Sequence, residues 1–183
     1  MSLFRKVPVV FLGVLFCLLM QSATSFAKDT KVAKKEIKAL NDKIMAANEK
    51  GDLQGALTAA EGAYQLAKDT WGENALETAN AMNNMANLYT AANEAPAAEQ
   101  FFKRAILIYI EKSDPNGTGM ADIYFNLGVA YAMQKKYSDA INILSKAEVI
   151  RHAKLGPESP DTQKVVEMIG ELRKLANMKT ERI

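Results

Sequence analysis

The sequence predicts an all-α fold, a solenoid of stacked antiparallel helix hairpins, and three observations carry that prediction. Good helix formers dominate the composition, while Gly, with 10 residues, and Pro, with 5, are scarce in a chain of 183; such a chain extends helices with few interior breaks. Apolar residues recur at the i, i+3, i+4, i+7 spacing of one helix face, as in Met82, Met85, Ala86 and Tyr89. The chain also aligns with itself at a shift of 42 residues without a gap, which marks a repeat array.

The first element is a leader. Arg5 and Lys6 form a positive start, Val7 to Met20 an apolar run, and Ser25-Phe26-Ala27 a small-x-small site before Lys28. These are the parts of a secretory signal peptide over residues 1–27, so export to a periplasmic or extracellular compartment is expected, with cleavage after Ala27. An uncleaved anchor is the alternative, but a membrane span takes about 20 apolar residues, and this run stops at Gln21-Ser22. A lipid anchor on Cys17 would find bulky Phe16 where such signals carry a small residue. Without the leader the chain loses Arg5, Lys6 and its single Cys, and the 23 basic and 21 acidic residues of the whole sequence come into balance. That removes the positive field that would draw nucleic acid or an anionic membrane, so neither is an expected partner. It also leaves no thiol for a disulfide or a Cys-based metal site.

Residues 28–49 read as an N-terminal helix with Ile37, Leu40, Ile44 and Ala47 on one face, packing on the first repeat; a free arm for a partner is the other reading. Residues 50–179 read as the array itself, about three repeats with a C-terminal capping helix. Ala56, Ala98 and Ala140 share one column of the 42-residue period, and Ala86, Gly128 and Gly170 another. Leu66, Ile108 and Ile150 fill a third. Each period holds two amphipathic helices, such as those around residues 78–92 and 96–112. Breakers fall at Gly51-Asp52, Gly72, Pro115-Asn116-Gly117 and Gly156-Pro157, and Gly117-Thr118-Gly119 reads as a turn. Ser159-Pro160 has the form of a helix start, with Ser as N-cap. The small columns have a packing reason: two helices approach closely where one side chain nearly vanishes. Gly128, set against Tyr131 and Ala147, is the plainest instance expected.

The run Tyr124, Leu127-Gly128, Tyr131, Tyr137, Ala140, Leu144 and Ala147 resembles the tetratricopeptide repeat pattern of large and small positions. With its 42-residue period, Asn83 to Tyr89 and Leu155 to Pro160 are similar to the longer repeat variant of kinesin light chains and many bacterial proteins. The resemblance covers about residues 50–172. Departures are Ala95, Lys136, Ser159 and Arg173, the last of which suits a terminal helix that turns a polar face to water. The resemblance implies a right-handed α-solenoid whose first helices line an inner, concave face.

Catalysis finds little support. A nucleophile, a base and a stabiliser of charge must lie together, and the lone His152 sits near the end of a second helix with no evident partner. Acids such as Glu94, Asp122, Asp139 and Glu171 fall on separate turns, so no metal site and no cofactor are expected. What remains is the concave face. Its stations not needed for packing are Asn80, Asn83, Asn87 and Thr90 in one repeat and Asp122, Phe125, Val129 and Met133 in the next. Asn41, Met45 and Asn48 extend the row on one side, Lys164, Glu167 and Glu171 on the other. Carboxamides both donate and accept, so a row of Asn can pair with the backbone of an extended peptide; Phe125, Val129 and Met133 would add an apolar pocket. The expected role is a scaffold for a protein or peptide partner, with self-association through the terminal helices as the alternative.

Overall fold

A computed structural model describes the backbone of residues 9–180 and the side chains of residues 29–177. Seven helices follow one another: α1 (Val9–Glu49), α2 (Leu53–Trp71), α3 (Leu76–Ala91), α4 (Ala95–Lys112), α5 (Thr118–Met133), α6 (Tyr137–Leu155) and α7 (Pro160–Thr180). No strand occurs among the described residues. Residues 1–8 of the expected leader lie outside the description; from Val9 onward its backbone is helical and continuous with α1. Among the described residues no helix is long and apolar enough to cross a membrane.

The sequence period is realised in the helix starts. α2, α4 and α6 begin at Leu53, Ala95 and Tyr137, and α3, α5 and α7 at Leu76, Thr118 and Pro160, a spacing of 42 residues in both series. The helices pair as hairpins α1/α2, α3/α4 and α5/α6, and each hairpin packs on the next, with α7 covering α6. Each hairpin reverses through one residue with positive φ, at Gly51 (68°), Asn93 (61°) and Lys135 (58°), again one column of the repeat. Gly accepts this left-handed conformation freely and Asn tolerates it, whereas Lys135 holds it at a steric cost.

The cap expected at Ser159 forms, and Asp52, expected only as part of a breaker, caps α2 as well. The Asp52 carboxylate accepts from the Gly55 amide at 2.8 Å, and Ser159 Oγ accepts from the Thr162 amide at 3.4 Å. Gly117-Thr118-Gly119 is a correction: only Gly117 lies outside the helix, in extended conformation, while Thr118 and Gly119 form the first turn of α5. The Tyr109 ring packs closely over Gly119, with 3.1 Å to where a Cβ would stand, so a larger residue there would have to displace the ring by a few tenths of an ångström.

The core runs along the stack in two clusters. Ile44, Ala56, Ala60, Met85 and Leu88 join α1, α2 and α3, and a larger set from Ala79 to Leu172 joins α3 to α7. Phe102, Met120, Leu127 and Leu144 are fully buried in the larger set. Gly128 does open the third hairpin, and the side chain nearest to it is Leu144; a Cβ at 128 would lie 2.5 Å from Leu144 Cγ. Ala147 lies nearly one helical turn further along α6, and Tyr131 belongs to the same helix as Gly128.

Candidate functional site

The inner side of the solenoid can be identified from which helices meet across a repeat. α3 touches α5, and side-chain hydrogen bonds join α1 to α3 and α3 to α5, so the first helices of successive hairpins meet directly. The first helices of the hairpins therefore line the tighter side of the curve, and the second helices, α2, α4 and α6, the outer side.

Two sets of side-chain hydrogen bonds recur with the period along this inner row. Asn84 Nδ2 donates to Asn41 Oδ1 at 3.2 Å, joining α3 to α1, and Asn126 Nδ2 donates to Asn83 Oδ1 at 3.4 Å, joining α5 to α3. One period further the same two stations hold Phe125 and Met168, both packed in the core. The ladder thus passes from carboxamide pairs to an apolar pair as it approaches α7. The second set ties first to second helices within a hairpin. Tyr109 donates from its hydroxyl to Asn80 Oδ1, and Arg151 donates to Asp122 Oδ1 at 2.8 Å. The hydroxyl of Tyr109 is held above its ordinary pKa, first by burial and then by the nearby Asp122 carboxylate.

These bonds sort the residues singled out from sequence. Asn41, Met45 and Asn87 come together around a hollow of about 340 Å³ between α1 and α3, with Ile44, Asn48 and Leu88. Met45 is 63% exposed there. Asn83 is half-buried beside Asn126. Asn80 and Asp122 are exposed but engaged with Tyr109 and Arg151, so they fasten hairpins. Phe125 is buried, 9% exposed, and two cations lie over its ring, Arg151 at 4.9 Å and Lys164 at 5.2 Å from the centroid. Val129 is half-buried and Met133 is 43% exposed at the end of α5. Thr90 is buried, donating to the Ala86 carbonyl at 2.8 Å.

Sequence reasoning did not single out Tyr109, Arg151 or Asn126. The period held the signal: Asn80 with Asp122 and Tyr109 with Arg151 are columns of the same alignment, so one polar pair predicts the other. Arg151 is 6% exposed and also donates to the Asp161 carbonyl at 3.0 Å, so one guanidinium gathers α5, α6 and the start of α7. His152 is exposed in the last turn of α6. No group of three His, Cys, Asp or Glu poised for a metal occurs among the described residues.

A right-handed solenoid of helix hairpins with a polar inner row is the class of protein defined so far. The repeats are tetratricopeptide repeats: models of that family match residues 36–111 and 120–161. They form a fold typical of protein–protein interaction scaffolds. No curated protein matches by sequence. Among solved structures, BtubC (BKLC) from P. vanneervenii is similar with a TM-score of 0.68 and 19% identity. The match covers 89% of this chain and 66% of BtubC, so the chain spans somewhat less than two thirds of that protein. The TPR2B domain in the pHsp70 complex of yeast Sti1 gives 0.59 at 17% identity, covering 77% of this chain and 98% of the domain. The Arabidopsis OM64 TPR domain gives 0.53 at 20% identity, covering 78% and 98%. At these identities the likeness is one of fold.

Proposed function

We propose that the chain is an exported, non-catalytic scaffold that holds an extended segment of a partner protein against its inner row. The observation that carries the reading is the direction of the Asn ladder. Asn41 and Asn83 accept through Oδ1, so the two N–H groups of each Nδ2 have no intramolecular acceptor among the described residues. The two donors stand one repeat apart, at Asn41 and Asn83, and the next equivalent station is Phe125. Adjacent helices stand about 8–10 Å apart, close to three residues of extended chain at about 3.3 Å each. A bound strand would offer a backbone carbonyl to each donor without any demand on its sequence. Met45 and Met133 flank the row with flexible apolar surface that adapts to different side chains. The 42-residue recurrence of helix starts supports the kinesin-light-chain type of repeat, and the leader at residues 1–27 supports export.

Photocrosslinking in cells tests the reading. A benzoylphenylalanine placed at Met45 or Met133 is expected to capture a partner polypeptide, and one at Lys68 on the outer α2 is not. Equal capture at all three positions, or none at the inner two, would overturn it. Recovery of mature chain starting at Lys28 from the exported fraction checks the export part.

A further inference from the structure

The outer surface carries a second site of different character. Between α4, the loop before α5, and α6 lies a hollow of about 590 Å³. Its apolar walls are Ile110, Pro115, Tyr124, Val149 and Ile150. Ile110 and Val149 are 53% and 69% exposed, and Leu107, 62% exposed, stands at the repeat station equivalent to Val149. Apolar side chains gathered at this exposure on one face mark a contact surface more than a folding requirement. In the first repeat the same station is Gln65, so the apolar ridge belongs to the second and third repeats alone.

The polar part of the hollow points to what fits it. Asn142 and Ser145 line it and make no side-chain hydrogen bond among the described residues. Lys146 is the one charged residue in the lining. It lies 5.6 Å from the Tyr124 ring centroid and has no carboxylate within ion-pair distance among the described residues. Neighbouring charges neutralise one another instead: Lys154 pairs with Asp114 at 3.3 Å and Lys112 with Glu111 at 2.9 Å. The hollow is thus an apolar cup whose one cation faces the Tyr124 ring and has no carboxylate partner among the described residues, with open hydrogen-bonding groups at its rim.

We infer that this hollow is a docking site for an acidic, apolar peptide segment of a partner protein, separate from the inner row. An aliphatic or aromatic side chain of the segment fills the cup against Ile110, Tyr124 and Val149. A flanking Glu or Asp meets Lys146, where the partly apolar surroundings weaken solvent screening. Its backbone takes hydrogen bonds from Asn142 and Ser145. Charge complementarity selects this occupant: a basic segment would face Lys146 with like charge, and a purely apolar one would leave the cation desolvated without a partner.

Fluorescence anisotropy on the full chain tests this, with an array of labelled decapeptides carrying Leu, Ile or Phe flanked by Glu. Control arrays replace Glu by Lys or the apolar residue by Gly. Acidic apolar peptides are expected to bind at least tenfold more tightly than either control and to weaken as salt rises. Lys146→Glu and Val149→Asp, both at exposed positions and checked by circular dichroism for unchanged helix content, are expected to weaken them tenfold or more. Asn83→Ala and Asn87→Ala on the inner row are expected to leave them unchanged, which keeps this test apart from that of the inner groove. Binding of no array member above its Lys-substituted counterpart overturns the inference, as does loss confined to the inner-row variants. So does a Val149→Asp effect seen only as a change in oligomeric state by light scattering, which would assign the ridge to a second copy of the chain.

Discussion

Gly128 and Gly170 occupy the same station of successive repeats, yet a methyl group at 128 would strike Leu144, whereas at 170 it would meet nothing within 4 Å. The difference lies in what packs on each helix. α5 is clasped by α6, and Leu144 fills the notch that Gly128 leaves. α7 packs on α6 with Val165, Ile169 and Leu172, and its other side carries no helix among the described residues. One glycine is a packing requirement and the other a helix-interior residue with no structural task in view. The repeat pattern alone cannot tell them apart, because a column records residue type and not whether the facing helix is present.

The largest effect expected from breaking the closed joint is at its knob. Leu144→Ala, at a fully buried site, should cost about 2–5 kcal/mol in chemical denaturation, through lost burial and the cavity left behind. Gly128→Ala attacks the same contact from the other side, and overpacking should cost about 1–3 kcal/mol. If Gly128→Ala proved neutral, the clasp would be looser than its geometry.

The joint between the second and third repeats adds an ionic contact. Glu99 accepts from Lys103 at 2.6 Å, Lys136 at 3.1 Å and Tyr131 at 3.3 Å, reaching from α4 to α5 and the turn before α6. The equivalent stations in the other repeats are Leu57 and Ile141. Burial alone would raise the Glu99 pKa, but the hydrogen bonds from Lys103 and Lys136 outweigh it and bring it to about 2 from an ordinary 4.5. The folded state therefore favours the carboxylate. Its stabilisation is complete above about pH 4.5 and is lost as pH falls from there through about 2. Both lysines are about half exposed, so solvent screens the pairs and the contribution should be about 1 kcal/mol or less. Thermal melts from pH 6 to 2 should show a shallower acid decline in Glu99→Gln than in the parent.

The smallest change expected is a gain. Gly170→Ala should stabilise the chain by about 0.5–1 kcal/mol, because Ala restricts the unfolded chain and favours helix where nothing obstructs it. Opposite signs at 128 and 170 would confirm the contrast between closed joint and open end; like signs would erase it.

The same contrast explains what could be read from the sequence. The helix hairpins were legible, because apolar stripes and breakers repeat every 42 residues and the helices start on that beat. The stations of the first helices were legible as a series set by the 42-residue spacing. Its internal bonding was not, since Asn80 with Tyr109 and Asp122 with Arg151 meet across a hairpin whose rotation no stripe specifies. Phe125 looked open because its covers, Arg151 and Lys164, come from α6 and α7. Gly119 was read as loop because two nearby glycines signal a turn locally, whereas α5 already starts at Thr118 and the Tyr109 ring packs over Gly119.

Gly51, Asn93 and Lys135 reverse the chain in the same left-handed backbone well. Reach can therefore be altered in whole 42-residue blocks without redesigning any fold-back. A duplicated block spliced in after Lys112 would meet on both flanks the kind of surface it already knows, lengthening the inner wall by one more rung.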